Sequence, residues 1–194
     1  MTDPAVADAL ATLRATRYRI EDAMTAVPNA AGLYAVYSSA EVWEQLRLTY
    51  PGDEPLYVGK AERSLVARDI RTHFASGRTG SSTLRRSFAA LLRDALDLRG
   101  VPRNPANPER PANYGLSPEH DALLTSWMHD NLQLAVWVKP ADADLDAVET
   151  SVLDVLQPPL NLAKVTAPSR VLRDARTVMA NDVREWAAER GIAL

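Results

Sequence analysis

Two short apolar segments each place a tyrosine beside groups that suit acid–base chemistry. Tyr34 lies in AAGLYAVY, and Tyr57 lies in EPLYVGKA, just before Lys60. A phenol ionises near ~10 in water, so a tyrosine acts as a base only where a cation or a metal-bound water favours the phenolate. We therefore interpret the tyrosines and Lys60 as parts of a site for chemistry on phosphate. The alternative is that both tyrosines are ordinary strand aromatics.

A basic, helix-prone stretch follows the second tyrosine. Helical spacing places His73 on one face with Val66 and Ile70, whereas Arg68 and Arg71 point away from that face. A lone histidine on an apolar face is more often a core residue than a catalyst. The cations beside this histidine favour a role in the site.

One carboxylate lies on the apolar side of a later helix, predicted over residues 144–157. Leu145, Val152 and Leu156 define the apolar stripe of this helix, and Glu149 lies near the middle of the stripe. Burial of an unpaired carboxylate costs on the order of 3 to 5 kcal/mol. Glu149 is therefore expected to need an arginine, a metal ion or a proton. The alternatives are a core salt bridge and a different buried face of the helix.

The formal net charge is −3, but the charges are segregated along the chain. From Lys60 to Arg103 there are ten Lys or Arg and four Asp or Glu, a balance of +6. The remaining residues hold twelve and twenty-one, a balance of −9. A basic segment directly after the tyrosines is typical of a surface that docks a polyanion. The alternative is a solvated helix surface rich in arginine.

A helix predicted over 83–98, capped by Ser81 or Ser82, carries arginines outside its apolar stripe. Those arginines are expected to meet solvent or ligand. The preceding segment 77–82 lacks the GK[ST] ending of a nucleotide-binding loop, but it is expected to offer backbone N–H groups to a nucleic-acid phosphate. The predicted DNA-binding residues are Arg71, Arg78, Arg85 and Arg86.

Length and composition bound the class of protein. With 194 residues, 46% of them apolar, the chain is long enough for one domain with a sizeable core. The absence of cysteine excludes disulfides and thiolate chemistry. No apolar run approaches the ~20 residues of a membrane span, and the first residues, MTDPAVADAL, do not resemble a secretory signal. We expect a cytoplasmic protein without a membrane partner.

The elements that must position these residues follow an α+β pattern. Strands are predicted over 32–37, 55–59 and 132–138, and helices over 3–24, 65–75, 83–98, 144–157 and 169–190. The predicted fold is α+β, with a small, mainly antiparallel, three-stranded sheet flanked by helices and with N- and C-terminal helical extensions.

The ordered motifs resemble those of the GIY-YIG nuclease superfamily. They are GLY, then LYVGK, then a helix with arginine and histidine, then a helical glutamate, then the Pro-Leu-Asn of QPPLNL. Leu33 and Val58 each replace an isoleucine of the family motifs and keep the apolar character of a strand. The resemblance implies an N-terminal helical extension over 1–27, a GIY-YIG-like nuclease domain over 28–164 with insertions at about 38–54 and 99–126, and a C-terminal helix over 165–194.

What the resemblance implies is hydrolysis of a DNA phosphodiester by water, assisted by one divalent ion, Mg²⁺ or Mn²⁺. Glu149 would hold the ion, and either Tyr34 or Tyr57 would take a proton from the attacking water. Either Arg68 or Arg71 would fill the family's arginine role at the phosphoryl oxygens. The implied catalytic residues are Tyr34, Tyr57, Lys60, Arg68, His73, Glu149 and Asn161. These roles agree with the charge neutralisation that a phosphate ester needs.

The leading hypothesis is therefore a divalent-metal-dependent DNA endonuclease that acts in restriction, in repair or in a mobile element. One alternative is a nucleic-acid-binding module that retains the fold and does not cleave. Another is a structural or protein-interaction domain, whose affinity for DNA would lack a steep dependence on salt.

Overall fold

The computed structural model describes residues 3–66 and 72–193, and within these ranges the chain forms one four-stranded sheet and seven α-helices. The strands are β1 Tyr18–Arg19, β2 Gly32–Tyr37, β3 Tyr57–Ala61 and β4 Gln133–Val138. The helices are α1 Pro4–Ala15, α2 Ile20–Ala26, α3 Ala40–Gln45, α4 Thr83–Leu91, α5 Pro118–Asn131, α6 Leu145–Leu156 and α7 Arg170–Ala188. No helix in the described part is long and apolar enough to cross a membrane.

The sheet is antiparallel, with the strand order β1-β4-β2-β3. The inner strand β2, with the sequence GLYAVY, is buried along its whole length. Successive side chains of a strand point to opposite faces, so Tyr34 and Val36 enter one hydrophobic layer while Leu33 and Ala35 enter the other. Helices α1 and α6 cover one face of the sheet, and α2, α4, α5 and α7 cover the other.

The predicted α+β class, an antiparallel sheet flanked by helices, is confirmed, but the sheet has four strands instead of three. The additional strand β1 interrupts the predicted helix over 3–24, which is therefore wrong as one continuous element. Leu13 of α1 packs on one face of the sheet, and Ile20 of α2 packs on the other. A single straight helix cannot bury residues on both faces, so the chain crosses the sheet edge and pairs with β4 there.

The predicted pairing of the two tyrosine strands is confirmed. β2 and β3 are antiparallel neighbours, and the register places Tyr34 opposite Gly59. A long connection that contains α3 joins these strands. Residues 67–71 of the helix predicted over 65–75 lie outside the described residues.

Helix α4 begins as predicted but ends early. The Ser82 hydroxyl caps it by accepting a hydrogen bond from the backbone N–H of Arg85 at 3.0 Å. The helix stops at Leu91, and residues 92–97 form turns, whereas the apolar spacing predicted a helix to residue 98. Helix α5, which lies partly in the segment interpreted as an insertion, was not predicted; Phe88 of α4 packs against its Trp127.

Arg85 and Arg86 were expected to meet solvent or ligand; the solvent alternative is wrong, because these residues are 0% and 8% exposed. The Arg85 guanidinium pairs with the Asp121 carboxylate of α5 at 2.6 Å, and both side chains are buried. Asp121 also accepts hydrogen bonds from the backbone N–H groups of Gly77 and Thr79. Those two N–H groups are therefore already used within the fold and are not offered to a phosphate.

Replacement of Asp121 by asparagine should destabilise the fold strongly. The change leaves the guanidinium of Arg85 buried without its counter-ion, which costs about 3 to 5 kcal/mol in the free energy of unfolding. Denaturant unfolding followed by circular dichroism measures this cost. Asp130→Asn is the matched control, because Asp130 lies on the same helix but is exposed, and it should change the free energy by less than about 0.5 kcal/mol. Equal stability of the two variants would contradict the prediction.

Candidate active site

An open cleft of about 640 Å³ lies at the outer strand β3. Its described lining consists of Tyr34, Tyr57, Gly59, Lys60, Ala61, Glu62, Arg63, Ser64, Thr72 and Glu149. The cleft therefore brings together four of the residues predicted from the sequence, from β2, β3 and α6. A fifth, His73, lies behind the Tyr34 ring.

Tyr34 reaches the cleft by crossing over the backbone of Gly59. A Cβ atom at position 59 would overlap the hydroxyl and the ring of Tyr34, so this close approach requires glycine. The ring of Tyr57 lies beside Tyr34, with 6.0 Å between the ring centroids and a 40° angle between the planes. The glycine of the second motif therefore makes room for the tyrosine of the first.

The Tyr34 hydroxyl begins a buried chain of hydrogen bonds. It lies 2.7 Å from Nε2 of His73, and Nδ1 of His73 lies 2.7 Å from the hydroxyl oxygen of Ser82. With the imidazole proton on Nδ1, the Tyr34 hydroxyl donates to Nε2; with the proton on Nε2, the phenol oxygen accepts. In both tautomers an imidazole group lies where it can exchange a proton with the phenol. The predicted burial of His73 is confirmed, since its side chain is 0% exposed.

The predicted burial of Glu149 is confirmed as well, at 9% exposed. The structure supplies a cation that was not among the predicted partners: Nζ of Lys164 lies 2.8 Å from Oε2 of Glu149. Among the described residues, no donor forms a hydrogen bond with the other oxygen, Oε1. The carboxylate is thus held through one oxygen and keeps the second for a ligand.

Asp146 links the two lysines of the cleft. Its Oδ1 lies 2.7 Å from Nζ of Lys60 and 2.8 Å from Nζ of Lys164. The hydrogen bonds from Lys164 and then from Lys60 lower the pKa of Asp146 from 3.8 to about 2. The same contacts with Asp146 raise the pKa of both lysines above its ordinary value. Lys60 and Lys164 are therefore held as cations at neutral pH.

Among the described residues, Glu149 is the candidate ligand for a hard divalent ion, and no cage of several protein ligands surrounds it. The described residues contain no group of three or more His, Cys, Asp or Glu that could hold a metal ion. Mg²⁺ commonly keeps several waters and binds through one or two carboxylates together with substrate phosphate oxygens. The available Oε1 of Glu149, in an open cleft, is a donor of this kind.

Other predicted residues lie elsewhere. Asn161 lies on the outer edge of β3, where its side-chain amide donates to the carbonyl of Val58 at 2.8 Å and its carbonyl oxygen accepts from the Val58 N–H at 3.0 Å. Arg68 and Arg71 lie outside the described residues. Arg78 is exposed and lines a separate, smaller cleft. Asn161 therefore covers the free edge of the strand that carries Tyr57 and Lys60.

Three residues of the network were missed by reasoning from the sequence. Asp146 lies three residues before Glu149, so helical spacing could have identified it as a neighbour. Ser82 was recognised as a helix cap but not as the partner of His73. Lys164 lies in a segment without periodicity, and no local signal indicates that it pairs with Glu149.

The family model described as the GIY-YIG catalytic domain matches residues 33–177, which is more than half of the chain. No curated protein and no solved structure matches the chain.

Replacement of Lys164 by methionine should raise the pKa of Asp146 from about 2 towards its ordinary value of 3.8, because it removes the largest cause of the depression. A pH titration of the side-chain carboxyl carbons by NMR measures the change. A pKa that is depressed in the folded state adds stability above the ordinary value, and this stability is lost as the pH falls towards 2. The variant should therefore lose less stability than the wild type over that pH range.

Lys139→Met is the matched control, because it also removes one lysine. Lys139 binds backbone carbonyls near the start of α6 and, among the described contacts, forms none with Asp146. A pKa of Asp146 that shifts equally in both variants would contradict the assignment to Lys164.

Proposed function

We propose that this chain, which belongs to the GIY-YIG family, is a divalent-metal-dependent DNA endonuclease that hydrolyses phosphodiester bonds. Membership of the family implies a nuclease-type function, and nucleases of this family are generally dependent on divalent metals. The observation that carries the finer proposal is one cleft that combines a tyrosine hydrogen-bonded to an imidazole with a carboxylate oxygen available to a metal ion. Restriction, repair and mobile-element settings are all compatible with this chemistry.

Glu149 would hold the ion, Mg²⁺ or Mn²⁺, through its available oxygen. When bound, such an ion neutralises charge on the phosphate and on the leaving oxygen. Lys164 keeps its bond to the other oxygen of Glu149 and so fixes the orientation of the carboxylate. The two roles use different oxygens of one side chain, so they do not compete for the same atom.

Tyr34 is the better candidate for the proton acceptor. Its phenolic proton passes to Nε2 of His73, and the resulting phenolate accepts a proton from the attacking water as the water oxygen bonds to phosphorus. The bond from phosphorus to the leaving oxygen breaks, and the leaving oxygen takes a proton from solvent. Ser82 holds His73 in place from the other ring nitrogen. Tyr57, which is partly exposed to the cleft, is left to position the phosphate.

The cations of the cleft suit a phosphodiester. Lys60 lines the cleft with its ammonium group held by Asp146, and Arg63 lies next to it in the lining. Positive groups near the phosphoryl oxygens stabilise the negative charge that is spread over them in the transition state. The resemblance implies an arginine at the phosphoryl oxygens. That this arginine is Arg68 or Arg71 stays a prediction.

Replacement of Glu149 by glutamine should abolish Mg²⁺-dependent nicking of supercoiled plasmid. The amide is neutral and a much weaker ligand for a hard divalent ion, so the rate should fall at least about a hundredfold. Gel assays of plasmid with Mg²⁺ or with EDTA measure the effect. Glu185→Gln, an exposed change on α7, is the control and should nick like the wild type. Nicking that survives in Glu149→Gln would overturn the metal role, and tight binding without nicking by the wild type would favour a non-cleaving module.

Replacement of Tyr34 by phenylalanine should lower the nicking rate about 10²- to 10⁴-fold, the usual contribution of a general base, while DNA binding persists. The matched control is Tyr37→Phe, because Tyr37 lies on the same strand but faces the other side, where its hydroxyl donates to the carbonyl of Leu13. Single-turnover assays over a range of pH separate the two variants. A larger loss in Tyr57→Phe than in Tyr34→Phe would reverse the assignment of the base.

A further inference from the structure

Arg86 is a buried arginine that has no counter-ion among the described residues. Its side chain is 8% exposed, and its guanidinium donates only to neutral acceptors, the carbonyl of Gly80 at 2.9 Å and the hydroxyl of Thr83 at 3.3 Å. The Nε atom of Arg86 is buried without a hydrogen-bond partner. Among the described residues, no carboxylate forms an ion pair with it. Arg85, its neighbour in sequence, differs in having Asp121.

Two more arginines lie close to Arg86. The side chain of Arg103 lies against Gly80, the residue whose carbonyl Arg86 binds. Burial lowers the pKa of Arg86, and the charges of Arg176 on α7 and of Arg103 lower it further. Tyr114 connects the group, because its hydroxyl donates to the backbone carbonyl of Arg86 at 2.6 Å and Arg176 lies near that hydroxyl.

Asp182 does not neutralise this cluster, because its carboxylate is bound by Arg93. The charge of Asp182 on α7 contributes to the raised pKa of Tyr114. The two carboxylate oxygens of Asp182, however, lie 2.8 and 3.2 Å from the guanidinium of Arg93. One of these oxygens also accepts a hydrogen bond from the backbone N–H of Gly100. In the described part of the chain, Arg103 and Arg176 form no ion pair either. Three like charges are therefore held together without an anion from the fold.

This arrangement is costly unless an anion joins it. A guanidinium cannot lose its proton in a protein, so a buried arginine cannot escape the penalty by becoming neutral. An uncompensated buried charge costs several kcal/mol. Guanidinium groups bind phosphate oxygens through paired N–H donors, so a phosphate is an anion that this cluster could share.

We propose that Arg86, Arg103 and Arg176 form a second phosphate-binding site, which holds one backbone phosphate of the DNA away from the cleaved bond. The proposal rests on the proposed function, because it takes DNA as the substrate. Arg86 lies one helical turn after Ser82 on α4, about 6 Å along the helix axis. The second site is thus built on the same helix whose cap holds His73, so a strand bound at one site is aligned relative to the other.

The test is the salt dependence of DNA affinity in the Arg103→Ala/Arg176→Ala double variant. Both side chains are at least partly exposed, so the variant avoids disturbing the buried Arg86. Anisotropy titrations of a short fluorescent duplex in EDTA give affinity at several salt concentrations without cleavage. Loss of one phosphate contact should make the negative slope of log K against log salt less steep by about 0.9 and weaken binding about tenfold at low salt.

The matched control is Arg184→Ala/Arg190→Ala, which removes the same charge from exposed positions toward and beyond the other end of α7. This control should keep the wild-type slope. If the salt dependence becomes less steep by the same amount in both double variants, or in neither, the second site is wrong. Nicking by the wild type would still support the proposed function in that case. Arg86→Met is a further variant, and circular dichroism checks that it is folded before its slope is compared.

Inorganic phosphate distinguishes a DNA phosphate from a free anion. If the site takes a strand phosphate, the wild type should bind the duplex with a steeper salt dependence than Arg103→Ala/Arg176→Ala. Inorganic phosphate should compete with that binding. If phosphate raises the melting temperature of the wild type but not of Arg103→Ala/Arg176→Ala, and the duplex does not bind, the cluster is a site for free phosphate and the proposal is wrong. If the duplex binds with the predicted difference in slope but is not cleaved, the second site stands and the endonuclease proposal fails.

Discussion

The close passage of Tyr34 over Gly59 is the contact on which the site depends. Tyr34 lies on the inner strand β2, and its hydroxyl reaches His73 because the residue opposite, in β3, has no side chain. A shift of the β2–β3 register by one residue would turn Tyr34 to the other face of the sheet. The register is protected on both sides: Asn161 binds both backbone groups of Val58 on the outer edge of β3, and β4 pairs along the full length of β2. Asn161 and β4 therefore help to fix the position of the Tyr34 hydroxyl group.

Reasoning from the sequence located the parts of the fold that local patterns determine. The apolar, branched and aromatic runs of β2 and β4 predicted their bounds to within a residue, and the stripe of α6 predicted the burial of Glu149. Pairings between distant segments were not predictable in this way. Nothing local in Tyr18–Arg19 indicates a strand, because these two residues become one only by pairing with Leu134 and Gln133. Helix α5 was missed for a similar reason, since its apolar stripe is interrupted by the buried Asp121.

The arginines of α4 show why a helical stripe does not determine which residues are exposed. Arg85 and Arg86 lie outside the apolar stripe, and on a helix with one buried face both would be solvated. α4 packs against both α5 and α7, so its polar side is covered too. Arg85 is stabilised there because α5 supplies Asp121. Arg86 has no such partner in the described part of the chain, so two adjacent arginines on one helix differ in whether the fold supplies a counter-ion.

Two lysines balance the two carboxylates on helix α6. Asp146 and Glu149 together carry two negative charges, which would repel a phosphate if nothing balanced them. Lys60 and Lys164 supply two positive charges within 2.8 Å of these carboxylates. A third carboxylate, Glu62, lies 3.4 Å from Lys60 and is mostly exposed to solvent. Lys164 adopts a left-handed backbone conformation, with φ of 59°, which costs a lysine on the order of 1 kcal/mol. Its bonds to both carboxylates offset that strain. Asp146 is bonded to two lysines, whereas Glu149 keeps one oxygen that no donor among the described residues binds.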